Sequence, residues 1–398
     1  MAQVDDDQQI PEQRRPDRPR HLLVCAHAIE RRLLTPMLPC CNRFHVTGFS
    51  LVTNVAKKMV TIRDVAKRAG VSVATASRAL NGKQIVNAQT RDRVLAVMDE
   101  LGFRPSPAAR RLSLGRTLTV GVVVSFLTRP QAAERLRGVD AVLTDSEFDL
   151  VIYNVESVQK RDHYLGSLAH SQRTDGLLVM SLPPPNGPAP GLSQAPVPVV
   201  FIDVHTPSVA EMPRVVGDDM AGGSLAARHL LGLGHRRIAF IGDALESPFG
   251  FTSSRDREVG LTNELAAAGI DIAPEWIGHG AHGRYEARDL ARRILLSDPR
   301  PTAIFAASDT QALGVVAAAR ELGLHVPDDL SVIGYDDIEA ADYVGLTTIR
   351  QQLFESGRRG AEILLAEIDQ RSEEPPIAYL PPELVVRATT TPLKEGRG

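Results

Sequence analysis

One stretch of the chain, residues 59–82, constrains the fold more than any other. Its sequence is MVTIRDVAKRAGVSVATASRALNG. Apolar residues recur in it at the spacing of one helical face, namely Ile62, Val65, Ala66 and Ala69. Gly70 can then reverse the chain at positive φ, and Ser72 stands where a helix N-cap belongs. The stretch therefore predicts a helix-turn-helix, whose second helix fits the major groove of DNA. An ordinary helical hairpin inside a larger fold is the alternative.

The run TIRDVAKRAGVSVATASRALNG, residues 61–82, resembles the N-terminal headpiece of the lactose/galactose repressor (LacI–GalR) family of bacterial transcription regulators. The resemblance continues with few interruptions to about residue 390. It implies a three-helix headpiece, a hinge helix and a two-lobed effector domain similar to periplasmic binding proteins. The expected fold class is therefore an α-helical headpiece followed by an α/β domain.

The charge of the chain is divided unevenly, although the total is only −3. Residues 59–116 contain 11 Lys and Arg against 4 Asp and Glu, a net charge of about +7. Residues 1–58 carry about +3, so residues 117–398 carry about −13. A basic module followed by an acidic body is the pattern expected when only one module contacts phosphates.

The first 58 residues do not have the pattern of a folded domain. They begin with an acidic, Arg- and Pro-rich run of the kind typical of disordered tails, and they contain all three cysteines, Cys25, Cys40 and Cys41. We interpret Met59 as the biological start and residues 1–58 as a mis-annotated extension, with a genuine disordered tail as the alternative. The folded body then has no cysteine, which fits a reducing cytoplasm.

A third helix is expected between Asn87, as its N-cap, and Gly102, as its C-terminal turn residue. Its apolar positions would close the headpiece core, and they are Val94, Val97, Met98 and Leu101.

The segment RPSPAARRL, residues 104–112, predicts a short helix that is marginal by itself. In the resembled family this segment is the hinge helix, which orders on the operator. The resemblance implies that Ala109 and Leu112 contact DNA there, with Leu112 as a wedge in the minor groove. A plain linker is the alternative.

From Leu118 onward, apolar strand-like runs alternate with helical stretches. Strands are predicted at residues 118–124, 150–154, 176–181, 199–203, 215–216, 237–242, 303–306 and 331–335. Helices are predicted at residues 132–143, 221–232, 257–268, 285–296, 310–322 and 354–370. Such alternation indicates parallel sheets with helices on both faces.

These patterns divide the chain into an extension (1–58), a headpiece (59–104), a hinge helix and linker (105–117), an effector-binding and dimerisation domain (118–391) and a tail (392–398). The resemblance implies three crossings between the lobes, which we place near Gly217, Thr348 and Pro376. The first lobe would comprise residues 118–216 and 349–376, and the second residues 217–347 and 377–391.

The resemblance also implies which residues contact DNA. Val73, Ala74 and Arg78 would read bases from the outward face of the second helix. Arg78 can donate two hydrogen bonds to guanine, whereas Val73 and Ala74 can offer only apolar contact. Phosphate contacts are expected from Thr61, Ser72, Thr75, Ser77, Asn81 and Arg91, although a solvated surface could carry any one of them.

Polar motifs that follow the predicted strands indicate an effector site in the cleft between the lobes. The motif SRDR, residues 254–257, resembles the family's effector-binding turn, in which Arg257 would bind two ligand oxygens. Carboxylates beside an arginine suit the vicinal hydroxyls of a sugar. The other expected effector-binding residues are Asp203, Ser308, Asp309, Asp336 and Gln351.

Several alternatives remain open in the predicted cleft. Asp309 and Arg257 could merely pair with each other. Ser308 stands where asparagine is common in the family, which shortens one ligand donor. His279 falls roughly where some relatives stack an aromatic ring on a sugar. Phe249 and Tyr335 are expected in the core, with a place in the lining of the pocket as the alternative for either.

The motifs HExxH and GxSxG and a P-loop are absent from the sequence, and the histidines lack metal-ligand spacing. We therefore expect no enzyme, no cofactor and no metal. The predicted function is a cytoplasmic, nucleoid-associated transcriptional regulator, which we expect to be a repressor without membrane contact. It would bind double-stranded operator DNA and a small-molecule effector, for which we expect a sugar. The chain ends soon after Thr391 without heptads, so we expect a homodimer. A two-lobed sugar-binding protein without a DNA role is the alternative.

Overall fold

The computed structural model describes residues 60–80, 85–104, 106, 111, 114–171, 173–185, 191–370 and 377–394. The predictions for residues 1–58, Asn81, Ala109 and Leu112 lie outside this part of the chain and stay predictions.

Three helices form the headpiece, namely α1 (Ile62–Ala69), α2 (Val73–Leu80) and α3 (Ala88–Leu101). Each contacts the other two. Small side chains let them approach closely around a core that includes Val65, Ala76 and Val94, all fully buried. Ala79 is buried on α2, and Leu80 at the end of the helix is half-buried.

The first lobe is built on a six-stranded parallel sheet. Its strands are β1 (Thr119–Ser125), β2 (Asp149–Val155), β3 (Gly176–Met180), β4 (Val199–Ile202), β5 (Arg214–Gly217) and β11 (Ile377–Leu380). They are arranged in the order β2-β1-β3-β4-β5-β11. Because both faces are covered, β1, β3 and β4 are buried along their whole length and are continuous apolar runs in the sequence.

Three helices of the first lobe cover this sheet, namely α4 (Pro130–Leu143), α5 (Val158–Ser167) and α11 (Leu353–Ile368). α4 and α11 pack against each other, and α11 also contacts β3, β4 and β5. Their apolar side chains share one cluster with Val120, Val122 and Val124, whereas Val123 lies in the cluster on the opposite face.

The second lobe is built on another six-stranded sheet. Its strands are β6 (Ile238–Asp243), β7 (Ile277–Gly280), β8 (Ala303–Ala306), β9 (Ser331–Asp336), β10 (Thr347–Arg350) and β12 (Glu383–Val385). Their order is β7-β6-β8-β9-β10-β12, and all neighbours are parallel except β10 and β12.

Helices cover both faces of the second sheet. They are α6 (Asp219–Gly232), α7 (Ser253–Ala267), α8 (Arg284–Leu295), α9 (Asp309–Glu321) and α10 (Glu339–Tyr343). α6 packs on α7 at one face, and α8 packs on α9 at the other.

The chain passes between the two sheets three times, and two of the predicted lobe boundaries need correction. β10 continues to Arg350 in the second sheet, so that crossing follows Arg350 and not Thr348. We had assigned residues 377–391 to the second lobe, but Ile377–Leu380 pairs with β5 in the first sheet. The last crossing therefore lies between Leu380 and Glu383, where two prolines interrupt strand pairing.

No helix within the described ranges combines the length and the apolar character that crossing a membrane requires.

Candidate functional site

The turn before α2 fixes the direction of that helix. Gly70 has a φ of +64°, and the amide of Val71 donates to the carbonyl of Ala66 across the turn at 3.0 Å. The Ser72 hydroxyl then accepts a hydrogen bond from the Thr75 amide at 3.0 Å. This is the N-cap predicted from the sequence, and it satisfies one of the amides that have no partner at a helix start.

The outward face of α2 contains the predicted base-reading residues. Val73 is 43 % exposed, and Ala74 and Arg78 are exposed as well. The Arg78 side chain forms no hydrogen bond or ion pair with any described residue, so all five of its N–H donors are available. Ser72 is exposed, and Thr75 and Ser77 are half-buried on the same helix.

The other two described phosphate-contact candidates lie outside α2. Thr61 directly precedes α1 and is exposed, and Arg91 lies in the first turn of α3 and is half-buried.

A cavity lies between the two sheets, at the carboxyl ends of their strands. We call it the inner cavity, and its free volume is about 90 Å³. Ser125, Ser181 and Asp203 approach it from the first lobe, and Arg257, Ser308 and Asp336 from the second. Open α/β sheets bind ligands at this edge.

The backbone turns sharply where several strands end at the inner cavity. Ser181, Asp203 and Asp336 follow or end their strands with φ values of 45°, 58° and 116°, in a region that side chains other than glycine rarely adopt. Aspartate tolerates this region better than most residues. Such conformations cluster at functional sites, and here they accompany the entry of polar side chains into the cavity.

Arg257 is buried in the second lobe and is held by several groups. Its Nε donates to Asp219 Oδ1 at 2.7 Å, its Nη1 donates to the Ala307 carbonyl at 2.6 Å, and its guanidinium lies 3.6 Å from the centre of the Tyr335 ring. Burial alone would lower the pKa of Arg257, but the charges of Asp219 and Asp336 raise it, so the side chain is cationic. Its Nη2 forms no hydrogen bond with the described residues.

Asp336 receives hydrogen bonds from the first lobe and from a crossing segment. Gln131 on α4 donates to Asp336 Oδ2, and Gln351 donates to Asp336 Oδ1. Arg257 Nη1 lies 3.8 Å from the same Oδ1. Burial raises the pKa of Asp336, and the charge of Arg257 opposes that rise.

Arg135 joins the opposite side of the inner cavity into the same network. Its Nη2 donates to Asp203 Oδ2 at 2.7 Å and to Gln351 Oε1 at 2.8 Å, and its Nη1 donates to Ser181 Oγ at 3.1 Å. Burial alone would raise the pKa of Asp203, but the charges of Arg135, His205 and Arg257 lower it. The chain of contacts from Asp203 to Arg257 therefore ties the two lobes together through Arg135, Gln351 and Asp336.

The structure brings five of the six predicted effector residues to the inner cavity, and Asp309 is the exception. Asp309 is fully buried and does not line the cavity. Its oxygens accept from Thr348 Oγ1 at 2.6 Å and from the Ile338 amide at 2.9 Å. The suggested pairing of Asp309 with Arg257 is wrong, because Arg257 pairs with Asp219 instead. Ser308 lines the cavity and caps α9 by accepting from the Gln311 amide.

The aromatic and histidine candidates also have defined positions. Tyr335 and Phe249 are buried in hydrophobic clusters, as predicted. His279 is bonded to Glu258 at 2.8 Å and does not line the inner cavity.

Sequence reasoning missed several residues that line the inner cavity, among them Arg129, Gln131 and Arg135, and it missed Asp219, which pairs with Arg257. One signal for Arg135 was present, because it interrupts the apolar stripe of α4 formed by Ala132, Leu136 and Val139. Asp219 lies in the first turn of α6, where an acidic residue is also explained by the helix dipole. Its pairing with Arg257 was therefore not predicted.

One group of described residues could hold a metal ion, with ligand atoms of Asp203, His205 and Asp219 within 4.8 Å of one another. Both carboxylates are already bonded to arginines, Asp203 to Arg135 and Asp219 to Arg257. A cation would have to lie beside these positive groups, so we assign no metal to the cluster.

The fold and the sites define a class of protein, in which a helix-turn-helix headpiece is joined in one chain to a two-lobed domain with a ligand cavity. Two family models match accordingly. Residues 61–106 match bacterial regulatory proteins of the lacI family, and residues 227–390 match a periplasmic binding protein-like domain.

Known proteins give the same result over most of the chain. The HTH-type transcriptional repressor PurR of Photobacterium profundum is 34 % identical over 340 residues, covering 84 % of this chain and all of the relative. The lac repressor dimer bound to operator and the anti-inducer ONPF is 30 % identical with a TM-score of 0.72, covering 84 % of this chain and all of that one. The transcriptional regulator CelR in complex with cellobiose is 31 % identical with a TM-score of 0.61, covering 83 % and 99 %.

The chain belongs to the lacI family of bacterial regulatory proteins. It is a DNA-binding transcriptional repressor that responds to a small molecule, and it is not an enzyme. The alternative of a sugar-binding protein without a DNA role is not favoured, because the relatives share the headpiece as well as the two-lobed domain.

Proposed function

We propose that this repressor acts in the cytoplasm, associated with the nucleoid, as a homodimer that binds a pseudo-palindromic operator and controls genes of sugar use. One observation carries the proposal: the same chain has two features. The first is an exposed recognition face on α2, and the second is a cavity between two lobes that a polar network crosses. The first feature suits DNA and the second suits a small hydroxylated ligand. Two copies of α2 would read two half-sites.

On the operator, Arg78 would donate two hydrogen bonds to one guanine, and Val73 and Ala74 would contact apolar groups such as a thymine methyl. Phosphate contacts from Thr61, Ser72, Thr75, Ser77, Asn81 and Arg91 would fix the register of the headpiece without reading sequence. The net charge of about +7 over residues 59–116 supports this role.

In the inner cavity, three polar atoms are free to bind a sugar. Arg257 Nη2 can donate to a sugar oxygen, and Asp203 Oδ1 can accept from a hydroxyl, because neither forms a hydrogen bond with the described residues. Gln131 Oε1 is buried and has no hydrogen-bond partner, so it can accept another hydroxyl. Ser308, Asp336 and Gln351 also line the cavity and would complete the site.

The effector would act on DNA binding by changing how the lobes are held together. A ligand that hydrogen-bonds Asp203 and Arg257 would alter the network through Arg135 and Asp336, and hence the relative position of the lobes. A changed spacing would bias the hinge helix, with Ala109 and Leu112, between its ordered and disordered states.

A DNA selection experiment tests the proposal. The full-length chain would be used to select binding sites from random duplex DNA, and its affinity for a selected site and for a scrambled duplex would be measured by fluorescence anisotropy. We expect Arg78→Ala to cost about 1–3 kcal/mol on the selected site, with little loss on the scrambled duplex, because only base reading is removed.

Arg93→Ala is the matched control, since it removes one exposed positive charge from α3 and none from α2. We expect it to change the affinity for both duplexes by a similar, small factor. Equal losses on both duplexes for Arg78→Ala would refute its role in base reading.

A further inference from the structure

A second cavity adjoins the inner one, and we call it the outer cavity. Its free volume is about 230 Å³. The two cavities share four lining residues, namely Arg129, Asp243, Phe251 and His282. A ligand that fills the inner cavity and extends further therefore enters the outer one past these side chains.

Three phenylalanines form an apolar wall on the outer cavity. Phe249 and Phe251 are stacked, with ring centres 5.3 Å apart and planes 4° from parallel. Phe126 meets both edge-on, at 5.4 Å and 6.4 Å. Phe126 comes from the first lobe and the other two from the second, so the wall bridges the cleft. Such a surface suits the flat carbon face of a ring.

Arg129 stands where the two cavities join, and its charge is not neutralised by a direct partner. Its guanidinium lies 4.1 Å from the centre of the Phe126 ring. The guanidinium forms no hydrogen bond and no ion pair within 4.0 Å with any residue that the structure describes. Burial lowers the pKa of Arg129, although the more distant charges of Asp243 and Asp336 oppose that shift.

The other two arginines of the inner cavity are different, because each is paired with a carboxylate. Arg135 is bonded to Asp203, and Arg257 is bonded to Asp219. A partly buried guanidinium without such a partner is unfavourable until an oxygen anion reaches it. The Arg129 guanidinium is therefore free to pair with an anionic group of a ligand.

Two of the three acidic side chains that line the outer cavity have partners that reduce their repulsion of an anion. Asp243 Oδ1 contacts His282 Nδ1 at 3.0 Å and accepts from Gln311 Nε2 at 3.0 Å. Glu258 contacts His279 at 2.8 Å. Glu246 also lines the outer cavity, as does Arg255, which is mostly exposed.

We propose that the effector is an acidic sugar derivative, whose hydroxyls occupy the inner cavity while a carboxylate or phosphate is bound by Arg129 and its ring or chain lies on the Phe126–Phe249–Phe251 wall. This inference rests on the proposed function, because it names the class of molecule that the same effector site binds. The planar guanidinium can donate two parallel hydrogen bonds to either anion.

The test compares neutral and acidic forms of the same sugars on the full-length chain. Neutral hexoses, the corresponding hexonates and hexuronates, and hexose 6-phosphates would be screened by thermal shift. The dissociation constants of those that bind would be measured by calorimetry. We expect an acidic form to bind at least ten-fold more tightly than its neutral parent, and the carboxylate and phosphate series show which anion is preferred.

Two variants at Arg129 and one control complete the design. Arg129→Gln should weaken binding of the acidic form by roughly ten- to a hundred-fold and weaken binding of the neutral parent by a much smaller factor, and Arg129→Lys should lose less. Arg137 lies on α4, which begins directly after Arg129, and its side chain is 72 % exposed and pairs with Glu134. The control variant Arg137→Gln should therefore bind like the unaltered chain. The melting temperature of each variant without ligand shows that it is folded.

Three results would overturn the inference. If neutral sugars bind and acidic ones do not, the sugar effector stands and only the acidic class is wrong. If an acidic sugar binds equally to the unaltered chain and to folded Arg129→Gln, Arg129 is not its receptor. If no sugar of either kind binds, the sugar effector of the proposed function fails and this inference fails with it.

Discussion

At the scale of single residues, two buried arginines, Arg135 and Arg257, organise the polar network of the inner cavity. Arg257 could be predicted, because the SRDR motif opens a helix after a strand and resembles a known effector-binding turn. Arg135 could not, since a lone arginine among Ala132, Leu136 and Val139 has no visible partner in the sequence. Its partners are Asp203 and Gln351, which are distant in the chain and meet Arg135 only after both lobes have formed.

Asp309 was predicted to bind the effector because it follows a strand, but it does not line the inner cavity. It follows a parallel strand, as cavity residues do, but it begins α9 with its side chain turned into the second lobe. There it binds Thr348 and the Ile338 amide and connects α9 to β10 and to the segment before α10. Sequence position does not reveal which of two adjacent residues, Ser308 or Asp309, faces the ligand.

The buried position of Asp309 predicts a specific dependence of stability on pH. Burial and the charge of Asp336 raise the pKa of Asp309 well above its ordinary value, against the hydrogen bonds from Thr348 and Ile338. Because the folded chain holds this proton more tightly than the unfolded chain, the protonated carboxyl group stabilises the folded state. This contribution is fully present below the unfolded-state pKa of about 3.9, and it is lost as pH rises through the folded-state pKa. The free energy of unfolding of the unaltered chain should therefore fall, relative to that of Asp309→Asn, as pH rises from about 4 toward neutrality.

Urea unfolding of both proteins at a series of pH values measures this difference. Asp219→Asn is a useful comparison, because burial also raises the pKa of Asp219 but that residue belongs to the network around Arg257. A free energy of unfolding of the unaltered chain that rises with pH relative to that of Asp309→Asn would contradict the raised pKa.

At the scale of secondary structure elements, glycines set how closely paired helices approach. A Cβ added at Gly223 on α6 would lie 2.0 Å from the Arg257 carbonyl oxygen on α7. A Cβ added at Gly260 on α7 would lie 2.0 Å from the Met220 carbonyl oxygen on α6. This reciprocal contact holds together the two helices that carry Asp219 and Arg257, so the packing of α6 on α7 positions the pair at the cavity.

Gly223→Ala should therefore destabilise the protein, although alanine favours a helix more than glycine does. The clash is with backbone atoms, which cannot rotate away, and overpacking of this kind costs about 1–3 kcal/mol. Gly166→Ala is the matched control, because nothing lies within 4 Å of its added Cβ near the end of α5, and helix propensity alone would raise stability by up to about 1 kcal/mol. Chemical denaturation of the two variants gives the comparison, and a stabilised Gly223→Ala would disprove the close helix contact.

The elements that could be predicted are those with long apolar runs or clear helical periodicity. Most strands and long helices of both sheets lie within a few residues of their predicted positions. β7 was missed because its sequence, IGHG, contains two glycines and no apolar alternation. α5 was missed because only Arg161 and Leu165 are buried on it, which leaves no apolar stripe. β11 was missed because its position at a sheet edge depends on pairing with distant β5.

At the scale of the whole molecule, regulation requires that the effector cavity and the DNA-reading face influence one another. The polar network from Asp203 through Arg135, Gln351 and Asp336 to Arg257 crosses between the lobes at the place where a ligand would enter. A ligand can shift the arrangement of the lobes only to the extent that it binds one arrangement better than the other. The effector must then change the binding free energy of DNA by the same amount as DNA changes the binding free energy of the effector.

The measurement that tests this most directly is the coupling between the two ligands on the full-length chain. Operator affinity would be measured with and without the sugar found by the thermal-shift screen, and sugar affinity with and without the selected operator. We predict that each ligand changes the affinity of the other by the same factor, roughly 5- to 150-fold. A sugar that binds the cavity while operator affinity stays unchanged would contradict effector control of this repressor.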